Sequence, residues 1–519
     1  MWVFLFAEYA GFWYDNSEFN RIFLAMGRLT EENQTRIRRK EQAQNEGINP
    51  FPARVKRTHT IAQALVQFDV LAKKESELTL VGRLKTIRLH GGSCFANIED
   101  GTENIQIFIK KDLLGEKPYE QFNSLFDMGD FVEATGTPFT TKRGEKSLLL
   151  THIRLISKAL LPLPEKWHGL SDVEIRYRKR YLDLIANPGV KETFVKRAKI
   201  ITTIRSFLDQ AGFLEVETPI LQPIPGGANA APFITHHNAL NTDLYLRIAP
   251  ELYLKRLIVG GLEKVYEISR CFRNEGIDKS HNPEFTQVEF YAAYWDYRQL
   301  MDFTEKLIKE IVNKVNGSMK LTFAGVDVDF TGDFARVTFM DACHLLAKID
   351  VAKLSDKELV KISRERGLDI PSNMSRAKIL DEIFKTLVRP HLSVPTFITD
   401  HPVELSPLAK KREDNPRVVE RFQLVAAGAE LCNAFSELND PIDQAERFKT
   451  QEKMRKAGDE EAQRIDTDYI EALSYGMPPT AGIGIGIDRL TSILTNSRHI
   501  KEVILFPTLK PKESSDEQD

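Results

Sequence analysis

Alternating apolar and polar positions predict a small β-barrel in the first third of the chain. Every second residue is apolar or glycine from Leu78 to Leu84 and again from Ile105 to Ile109, which is the period of a strand with one buried face. Asp100-Gly101 and Arg143-Gly144 mark tight turns between such strands. About five short strands fit within residues 78–157, with a helical stretch between the third and the fourth, and this order is typical of an OB-type barrel.

A helical period followed by well-separated strands predicts a larger α+β domain in the rest of the chain. Val195–Asp209 carries apolar residues on one helical face, Gly212 is placed to end that helix, and Phe213–Thr218 has the character of a strand. Residues 351–390 are mainly helical in character and form a predicted insertion. The expected organisation is an N-terminal extension with a polar helix over 1–54, an OB-type domain over 55–160, a linker over 161–171, an α+β domain over 172–509 and a disordered tail over 510–519.

The N-terminal extension has more than one interpretation. Residues 1–25 are rich in aromatic side chains, but they lack a basic start, an apolar run of spanning length and a small-residue cleavage site. Neither a signal peptide nor a membrane span is therefore expected. The segment is either an added amphipathic element or the result of a start-site choice upstream of Met26. The charged stretch from Leu29 to Gln44 predicts a helix whose arginines either face solvent or contact RNA.

Composition argues against several classes of protein. Of the 519 residues, 42% are hydrophobic and 28% are charged, as in an ordinary globular enzyme, and the net charge of −3 argues against non-specific coating of nucleic acid. The four cysteines, Cys94, Cys271, Cys343 and Cys432, have no CxxC spacing, which argues against the usual zinc site and against a disulfide framework. A reducing, cytoplasmic location and no membrane partner are expected.

A polar loop between two strands carries the first candidate chemistry. Arg273 offers a planar fork for a carboxylate or phosphate, and His281 offers a second phosphate contact. Glu275 can accept a hydrogen bond from an adenine amine, and Phe285 offers a face on which a purine can stack. Each residue alone is more simply explained by an ion pair or a core position, but the ordered set indicates a nucleotide site.

A glycine-rich strand near the C-terminus carries the second candidate chemistry. In Gly482–Gly486 glycines alternate with isoleucines, which lets a flat ligand approach the backbone, and Arg489 in the next helix can meet an outer phosphate. The spacing is neither that of a dinucleotide fingerprint nor that of a GK[ST] phosphate loop. Tight packing of the strand on a helix is the alternative explanation.

These two segments, preceded by the helix–strand–proline unit at Phe213–Leu221, resemble in their order motifs 1, 2 and 3 of the class II aminoacyl-tRNA synthetases. Pro225–Ala228, Ala249–Tyr253 and Phe435–Asp440 further resemble the lysine-specific family, and the resemblance covers residues 55–509. It implies an α+β fold, with an antiparallel class II synthetase catalytic domain and an N-terminal OB-type anticodon-binding β-barrel. It also implies a homodimer, ATP as co-substrate, Mg²⁺ as cofactor, and L-lysine and tRNA(Lys) as the other substrates.

The resemblance also implies roles for individual residues. Lysine carries two ammonium groups, so a selective pocket needs carboxylates at two separate ends, although each Glu taken alone could be an ordinary ion-paired or surface residue. The implied lysine contacts are Gly227 and Glu251 for the α-amine, Glu289, Tyr291 and Glu437 for the ε-ammonium, Arg273 and Asn433 for the carboxylate, and Phe435 beside them. The implied ATP contacts are Arg273, Glu275, His281, Asn282, Phe285, Gly484 and Arg489, of which Arg273, His281 and Arg489 are expected to assist catalysis.

The implied magnesium site departs from the family pattern. Two acidic residues usually bind the metal; the later one matches Glu430, but the earlier one falls on Gln423. A Gln carbonyl can bind a hard cation, but it brings no charge. Either the metal relies more on phosphate oxygens and Glu430, or its affinity is reduced.

Four barrel residues match those with which the family recognises a uridine-rich anticodon. They are Arg88, Phe95, Gln106 and Glu145. Phe95 offers a stacking face, and the other three can pair with the edges of splayed bases. A core role for Phe95 and a merely solvated role for Glu145 are the alternatives.

Three other functions compete with lysine activation. Glu289, Glu437 and the Gly-Gly-Ala stretch at 226–228 argue against a synthetase for aspartate or asparagine, and an aspartate pocket would need a cationic clamp at the side-chain end. A lysyl-transferring relative that modifies a translation factor typically lacks the barrel. A catalytically impaired, synthetase-like RNA-binding protein has Gln423 as its support, whereas intact Arg273 and Arg489 argue against it.

Overall fold

The computed structural model describes residues 30–164, 170–371, 374–456 and 462–511. The predictions made for residues 1–25, for the middle of the linker at 165–169 and for the tail beyond 511 lie outside these residues. The described part of the chain forms two compact units, one composed mainly of the residues up to Leu170 and the other spanning Ser171–Lys510.

The first unit contains a closed barrel of five strands, and this confirms the predicted OB-type fold. Leu80, Ala96, Ile107 and Leu150 point inward and are fully buried. They alternate with outward-facing residues because successive side chains of a strand point to opposite faces. The strands are β1 (Leu78–His90), β2 (Ser93–Glu99), β3 (Asn104–Lys110), β4 (Phe131–Thr140) and β5 (Lys146–Ser157).

The barrel closes in the order β1-β2-β3-β5-β4, in which β3 and β5 pair in parallel. The N-terminal helix begins after Thr30, whose hydroxyl accepts from the backbone N–H of Asn33 at 3.3 Å. Arg36 of this helix is buried and donates to the carbonyl of Met128 at 3.0 Å. Its role is therefore structural, which weakens the RNA-contacting interpretation of the helix. The helices of this unit are α1 (Glu31–Asn45), α2 (Ile61–Val66), α3 (Phe68–Lys73), α4 (Lys111–Leu114) and α5 (Glu116–Leu125).

The second unit is built on an eight-stranded, mainly antiparallel sheet, which confirms the predicted α+β class. The strand predicted over Phe213–Thr218 is shorter than expected, because only Leu214–Glu215 pairs with the sheet. Thr218 is held through its hydroxyl instead, which donates to Glu267 Oε2 at 2.7 Å. The strands are β6 (Leu214–Glu215), β7 (Leu221–Gln222), β8 (Ile234–His237), β9 (Thr242–Leu246), β10 (Lys264–Phe272), β11 (Glu284–Ala293), β12 (Lys320–Phe323), β13 (Val326–Asp329), β14 (Ala335–Thr338), β15 (Thr396–Thr399), β16 (Arg421–Ala426), β17 (Ala429–Ser436) and β18 (Thr480–Gly486).

The large sheet has the order β14-β15-β16-β17-β18-β11-β10-β6, so β11 and β18 are both interior strands. Its apolar face, with Val288 and Phe290 of β11 and Ile483 and Ile485 of β18, joins one core with three helices. The remaining strands form two small sheets, β7-β9-β8 and β12-β13. The helices of this unit are α6 (Val173–Arg178), α7 (Arg180–Ala186), α8 (Pro188–Gln210), α9 (Glu251–Val259), α10 (Tyr297–Asn316), α11 (Phe339–Ala342), α12 (Asp356–Glu365), α13 (Arg376–Ile383), α14 (Pro441–Lys456), α15 (Thr467–Ser474) and α16 (Ile487–Leu494).

The three helices of that core are α8, α10 and α16. A separate buried cluster lies among the helices that interrupt the sheet between β14 and β15, with Leu359 of α12 and Ile379 of α13 as members. None of the helices described here combines the length and the apolar character needed to cross a bilayer.

Candidate active site

A cavity of about 370 Å³ opens on the polar face of the large sheet. Because successive side chains of a strand turn to opposite faces, Gln287, Glu289 and Tyr291 of β11 line the cavity while Val288 and Phe290 enter the core. The predicted residues that the fold brings together in the cavity wall are Gly227, Glu251, Arg273, Glu275, His281, Asn282, Phe285, Glu289, Tyr291, Gln423, Glu430, Asn433, Phe435, Gly484 and Arg489.

The loop between β10 and β11 places Arg273 over Phe285. The guanidinium carbon lies 4.9 Å from the centroid of the ring, within the range of a cation–π contact. The backbone N–H of Arg273 donates to the carbonyl of Pro283 at 2.8 Å, which ties the two ends of the loop together. Its Nε is buried and has no hydrogen-bond partner among the described residues. The guanidinium therefore keeps a donor for an anionic ligand.

Asp278 and Arg489 fix the tautomer of His281. Nδ1–H of His281 donates to Asp278 Oδ2 at 2.8 Å, and Nε2 accepts from Arg489 Nη2 at 3.2 Å. Partial burial works against the charge on Asp278, but hydrogen bonds from His281 and Ser280 lower the pKa of Asp278 to about 2. Arg489 thus keeps donors for an anion, and His281 orients its guanidinium from a segment that is distant in sequence.

The helix that carries Arg489 is anchored by Asp488. Its carboxylate accepts from the backbone N–H of Thr286 at 3.0 Å and pairs with Arg197 at 2.5 Å. Asp488 is 2% exposed, so these contacts are buried. They hold the start of α16 against β11 and α8, and thereby determine where Arg489 enters the cavity.

Glu289 is a buried carboxylate held by neutral donors. Its Oε1 accepts from Gln287 Nε2 at 2.6 Å and its Oε2 from the hydroxyl of Tyr291 at 2.9 Å. Burial raises the pKa of Glu289 to about 8, and the nearby Glu251 adds to the rise. A cationic group in the cavity would supply the missing charge and favour the ionised form.

Glu437 lies beneath the cavity wall rather than in it. It is 1% exposed, and Lys255 contacts its Oε2 while also donating to Glu251 Oε1 at 2.5 Å. Lys255 therefore links two predicted lysine-binding carboxylates, and the sequence analysis did not identify it. The one signal in the sequence is the four-residue spacing of Glu251 and Lys255 on a helix, which is common on solvated helices.

Two glycines make room for these side chains. Gly227 has φ +90°, and a β-carbon there would lie 2.9 Å from Glu251 Cβ. A β-carbon at Gly482 would lie 2.2 Å from both Glu437 Oε1 and Tyr291 Cε1. Since real β-carbons do not approach so closely, both positions require glycine in this arrangement.

Asn433 is oriented by a second residue that the sequence analysis missed. Arg421 Nε donates to Asn433 Oδ1 at 2.8 Å, and its Nη1 donates to Ser406 Oγ at 2.8 Å. Asn433 therefore has its amide nitrogen available for a carboxylate oxygen. Phe435, two residues further along the same face of β17, has its ring centroid 5.3 Å from Lys255 Nζ.

The two implied magnesium ligands lie on the neighbouring strands β16 and β17. Gln423 is 9% exposed, and His401 Nε2 lies 3.4 Å from its Oε1. Burial, with Arg421 nearby, lowers the pKa of His401 well below its usual value, so a neutral ring adjoins a neutral amide. Glu430 is then the charged donor of the pair. The described residues contain no cluster of three or more His, Cys, Asp or Glu side chains suited to a metal ion.

The first unit carries the four implied anticodon residues on or beside its outer surface. Arg88 is the cross-strand partner of Phe95, which in turn pairs with Phe108. The rings of Phe95 and Phe108 stack with centroids 4.2 Å apart and an interplanar angle of 8°. Phe95 is half-buried and faces outward while its neighbour Cys94 enters the core, so the core alternative for Phe95 is wrong.

The other two implied residues are Gln106, on the same strand as Phe108, and Glu145, whose carbonyl accepts from Ser147 Oγ at 3.3 Å. Gln106 lies on the outward side of β3, and its Oε1 accepts from Ser147 Oγ at 2.9 Å. Glu145 is exposed in the turn between β4 and β5. Phe108, which the sequence analysis did not single out, shows the same alternation as Gln106 and extends the stacking surface.

Comparison with known protein families identifies the class to which this fold and cavity belong. The family described as tRNA synthetases class II (D, K and N) matches residues 172–510, and the OB-fold nucleic acid binding domain matches residues 78–156. The large sheet, with its polar cavity, thus defines a class II tRNA synthetase domain.

The similar proteins show to which family within this class the chain belongs. The chain is 50% identical over 487 residues to a lysine–tRNA ligase of Syntrophomonas wolfei, covering 94% of this chain and 98% of the relative. It is 51% identical over 479 residues to a lysine–tRNA ligase of Moorella thermoacetica, covering 92% and 97%. It is 52% identical over 468 residues to one of Thermoanaerobacter sp. (strain X514), covering 90% and 93%. The chain therefore belongs to the lysine–tRNA ligase family.

Proposed function

We propose that this chain is an active lysine–tRNA ligase, which joins L-lysine and ATP into lysyl-adenylate and then transfers the lysyl group to the 3′ end of tRNA(Lys). The observation that carries the proposal is Glu289, a buried carboxylate bonded to neutral donors in the same cavity as Arg273. Such a carboxylate favours a cationic group, and a guanidinium with a free donor favours an anionic one. L-Lysine carries both at opposite ends.

In this proposal lysine lies across β11 and β17. Its ε-ammonium meets Glu289 and the hydroxyl of Tyr291, while Glu437 adds negative charge from below. Its α-amine meets Glu251 next to the backbone of Gly227. Its carboxylate takes a donor from the guanidinium of Arg273 and one from the amide of Asn433, and the ring of Phe435 covers the aliphatic chain.

ATP binds on the side of the cavity formed by the β10–β11 loop and α16. The adenine stacks on Phe285 and is recognised through its amine by Glu275, with Asn282 beneath it and Gly484 in the wall. Asn282 has a buried Oδ1 without a hydrogen-bond partner among the described residues, which supports a ligand contact. Arg489 donates to the outer phosphates, and His281, which accepts from Arg489 Nη2, holds its guanidinium in place.

Two displacement steps complete the reaction, and neither needs a protein nucleophile. A lysine carboxylate oxygen attacks the α-phosphorus, the bond to the bridging oxygen breaks, and pyrophosphate leaves. The terminal ribose hydroxyl of tRNA then attacks the acyl carbon, loses its proton, and displaces AMP. The protein contributes positioning and charge, and Arg273 lies where it can meet both the carboxylate and the α-phosphate.

Mg²⁺ is part of the proposal, with Glu430 and Gln423 as the residues that would hold it. One carboxylate and one amide oxygen fit a hard cation that takes its other ligands from phosphates and water. When bound, Mg²⁺ supplies positive charge to the polyphosphate. The neutral ring of His401 beside Gln423 leaves Glu430 as the charged protein ligand.

We also propose that the outer surface of the barrel binds the anticodon of tRNA(Lys). Stacked Phe95 and Phe108 give a base a flat platform, and Arg88 lies beside Phe95. Gln106 and Glu145 provide polar groups for base edges. The division into an anticodon-binding domain over 55–160 and a catalytic domain over 172–509 belongs to the same proposal.

A homodimer in the cytoplasm is the form of the protein that we propose. Leu214, Ile220, Leu221 and Ile234 are all exposed apolar residues near the edge strand β6 and the small sheet beside it, and a second copy would bury such residues. The four cysteines are free thiols, which supports a reducing compartment.

Lysine-dependent ATP–pyrophosphate exchange tests the proposed function. We expect exchange with L-lysine, and none with L-aspartate, L-asparagine or L-norleucine, because the first two lack a cationic side chain and norleucine would leave the buried carboxylate of Glu289 unpaired. Charging of tRNA(Lys) then tests the second step. Absence of exchange at every Mg²⁺ concentration would contradict the proposal and favour a catalytically impaired, synthetase-like RNA-binding protein.

A magnesium series on Gln423→Glu tests the metal part separately. The added carboxylate is expected to move the half-saturating Mg²⁺ concentration downward, while lysine specificity stays the same. Gln463→Glu adds the same charge elsewhere in the cavity wall and serves as the control. Equal Mg²⁺ dependence in all three proteins would mean that residue 423 does not hold the metal.

A further inference from the structure

Lys255 is a buried cation next to the cavity and is not among the predicted substrate contacts. It lies on α9, its side chain is 0% exposed, and its Nζ contacts both Glu251 and Glu437. A lysine is rarely buried in full unless it is paired, so the site rather than solvent determines its environment. Burial alone would lower the pKa of Lys255, but the carboxylates of Glu251 and Glu437 together raise it above its usual value.

The charges of the cluster match those of the proposed ligand. Glu251, Glu289 and Glu437 contribute three buried carboxylates. Lys255 forms ion pairs with Glu251 and Glu437, whereas Glu289 accepts hydrogen bonds from Gln287 and Tyr291. Two negative charges remain when all four groups are ionised, a state that a cationic ligand favours because burial raises the pKa of Glu289 to about 8 in its absence. L-Lysine brings two ammonium groups, while Arg273 lies ready for its carboxylate.

We propose that Lys255 is a positioning residue for lysine selection: its ammonium holds Glu251 and Glu437 in place and favours their ionised forms against the effect of burial. Together with Glu289, the pocket can then offer two uncompensated negative charges to a bound ligand with two ammonium groups. The inference rests on the proposed function, and it gives Lys255 a role that differs from the direct ligand contacts implied for the other residues. Lys255 acts through the two carboxylates and makes no contact with the ligand. Its contact with Glu251 orients that carboxylate toward the α-amine of the ligand. Its contact with Glu437 orients the second carboxylate toward the ε-ammonium.

Without Lys255 the two carboxylates would lie in a buried site in which Arg421, which faces Glu251, is the remaining cation. Burial and the negative charge of Glu251 raise the pKa of Glu437, so without Lys255 the pair would take up a proton. Lysine binding would then have to expel that proton, and affinity would depend more steeply on pH. The other ionisable groups that face the cluster would be unchanged; they are Glu289 and Tyr291 from β11, Glu267 from β10, Arg421 from β16 and Tyr469 from α15.

Calorimetric titration of L-lysine into the full-length protein and its Lys255→Met variant tests the inference. We expect the variant to bind lysine about a hundredfold more weakly at neutral pH, the scale on which loss of one partner of a buried ion pair acts. In buffers of different ionisation enthalpy, the variant should release about one more proton per lysine bound than the native protein. Titration with ATP is the internal control and should give native affinity.

Two further variants keep the test decisive if Lys255→Met folds poorly. Lys255→Gln retains a hydrogen-bond donor without the charge and should show the same extra proton, whereas Lys255→Arg retains the charge and should show the native proton count. Arg256→Met is the matched control: it removes the neighbouring ion pair to Asp466, at 2.7 Å, and Arg256 does not line the cavity. This control should leave the proton count unchanged.

The outcomes separate this inference from the proposed function. If the native protein binds lysine but the Met and Gln variants release the native number of protons, Lys255 has only a structural role and the inference is overturned. Equal weakening of lysine and ATP binding would overturn it as well, because that result indicates general damage. If the native protein does not bind lysine at all, the proposed function itself fails.

Discussion

Replacing Gly482 by alanine is expected to damage the lysine pocket through two buried neighbours. The new β-carbon would lie 2.2 Å from Glu437 Oε1 and 2.2 Å from Tyr291 Cε1. Glu437 is 1% exposed and Tyr291 is 2% exposed, so neither side chain can swing into solvent. Ordinary contact begins at 3.4 Å, and both atoms must therefore retreat by more than an ångström.

The structural cost of this substitution lies at the upper end of the range for overpacking. Inserting a methyl group into a well-packed site costs about 1–3 kcal/mol, and two confined neighbours place Gly482→Ala at about 3 kcal/mol. For a unit of this size the corresponding fall in Tm is about 4 °C. Because Tyr291 and Glu437 belong to the proposed ε-ammonium end, the KM for lysine should also rise by about tenfold, with little change in the KM for ATP.

Gly484→Ala provides a matched control on the same strand. Its β-carbon would have Glu289 Cγ as the nearest atom, at 3.6 Å, which is ordinary van der Waals contact. The ligand-free variant should therefore unfold within about 0.5 kcal/mol of the native protein. Its methyl group would nevertheless reduce the space for ligands in the cavity, so pyrophosphate exchange should weaken while Tm does not. Thermal unfolding without ligands and exchange kinetics with each substrate varied in turn measure both quantities.

The two variants differ in whether the new methyl group collides with Glu437 and Tyr291. Equal Tm values for Gly482→Ala and the native protein would mean that Glu437 and Tyr291 do not press on this strand. A native KM for lysine in a destabilised Gly482→Ala protein would mean that the two residues pack there without serving the pocket. Either result would refute the placement of the ε-ammonium at this end.

Three further substitutions test other parts of the molecule. Glu289→Gln should raise the KM for lysine about a hundredfold with the KM for ATP unchanged in pyrophosphate exchange, because it removes the charge that faces the ammonium. The pKa of Glu289 is raised from 4.5 to about 8, so between these pH values the folded protein holds a proton that the unfolded chain releases, and the stability of the ligand-free protein falls as the pH rises. Glu289→Gln should reduce this fall when Tm is measured against pH. The same dependence of Tm on pH in both proteins would contradict the raised pKa of Glu289. Asp278→Asn should raise the KM for ATP about tenfold, since it removes the carboxylate that fixes the tautomer of His281 beside Arg489; a native KM would show that the tautomer is held by other means. Phe95→Ala should weaken tRNA binding by about 1–3 kcal/mol in a filter assay. Pyrophosphate exchange, which needs no tRNA, should stay native in this variant, and its loss would point to misfolding.

Strands in which apolar and polar residues alternate strictly could be predicted from the sequence. The alternation from Ile105 to Ile109 identified a strand with one buried face, and that face lies in the barrel core. The same alternation explains why the glycines of Gly482–Gly486 line the cavity while the side chains of Ile483 and Ile485 pack in the core. A strand separates two environments by its geometry alone, so the pattern carries the information. At Phe213–Thr218 the pattern overestimated the strand, since pairing at a sheet edge depends on the neighbour as well as on propensity.

Lys255 and Gly482 show where such prediction ends. Lys255 is four residues from Glu251 on a helix, a spacing that in most proteins marks a solvated ion pair worth a few tenths of a kcal/mol. Its importance comes from Glu437, which is distant in the chain and reaches the same Nζ only in the folded protein. Gly482 is required by two side chains that meet it from other segments, and its own flanking residues show nothing of this. Charge balance in a buried site is a property of the assembled cluster, because the cost of each charge depends on every neighbour that excludes water from it. Local patterns thus indicated which residues face the cavity, whereas the counter-ion that Glu251 and Glu437 share became visible only when the segments were in contact.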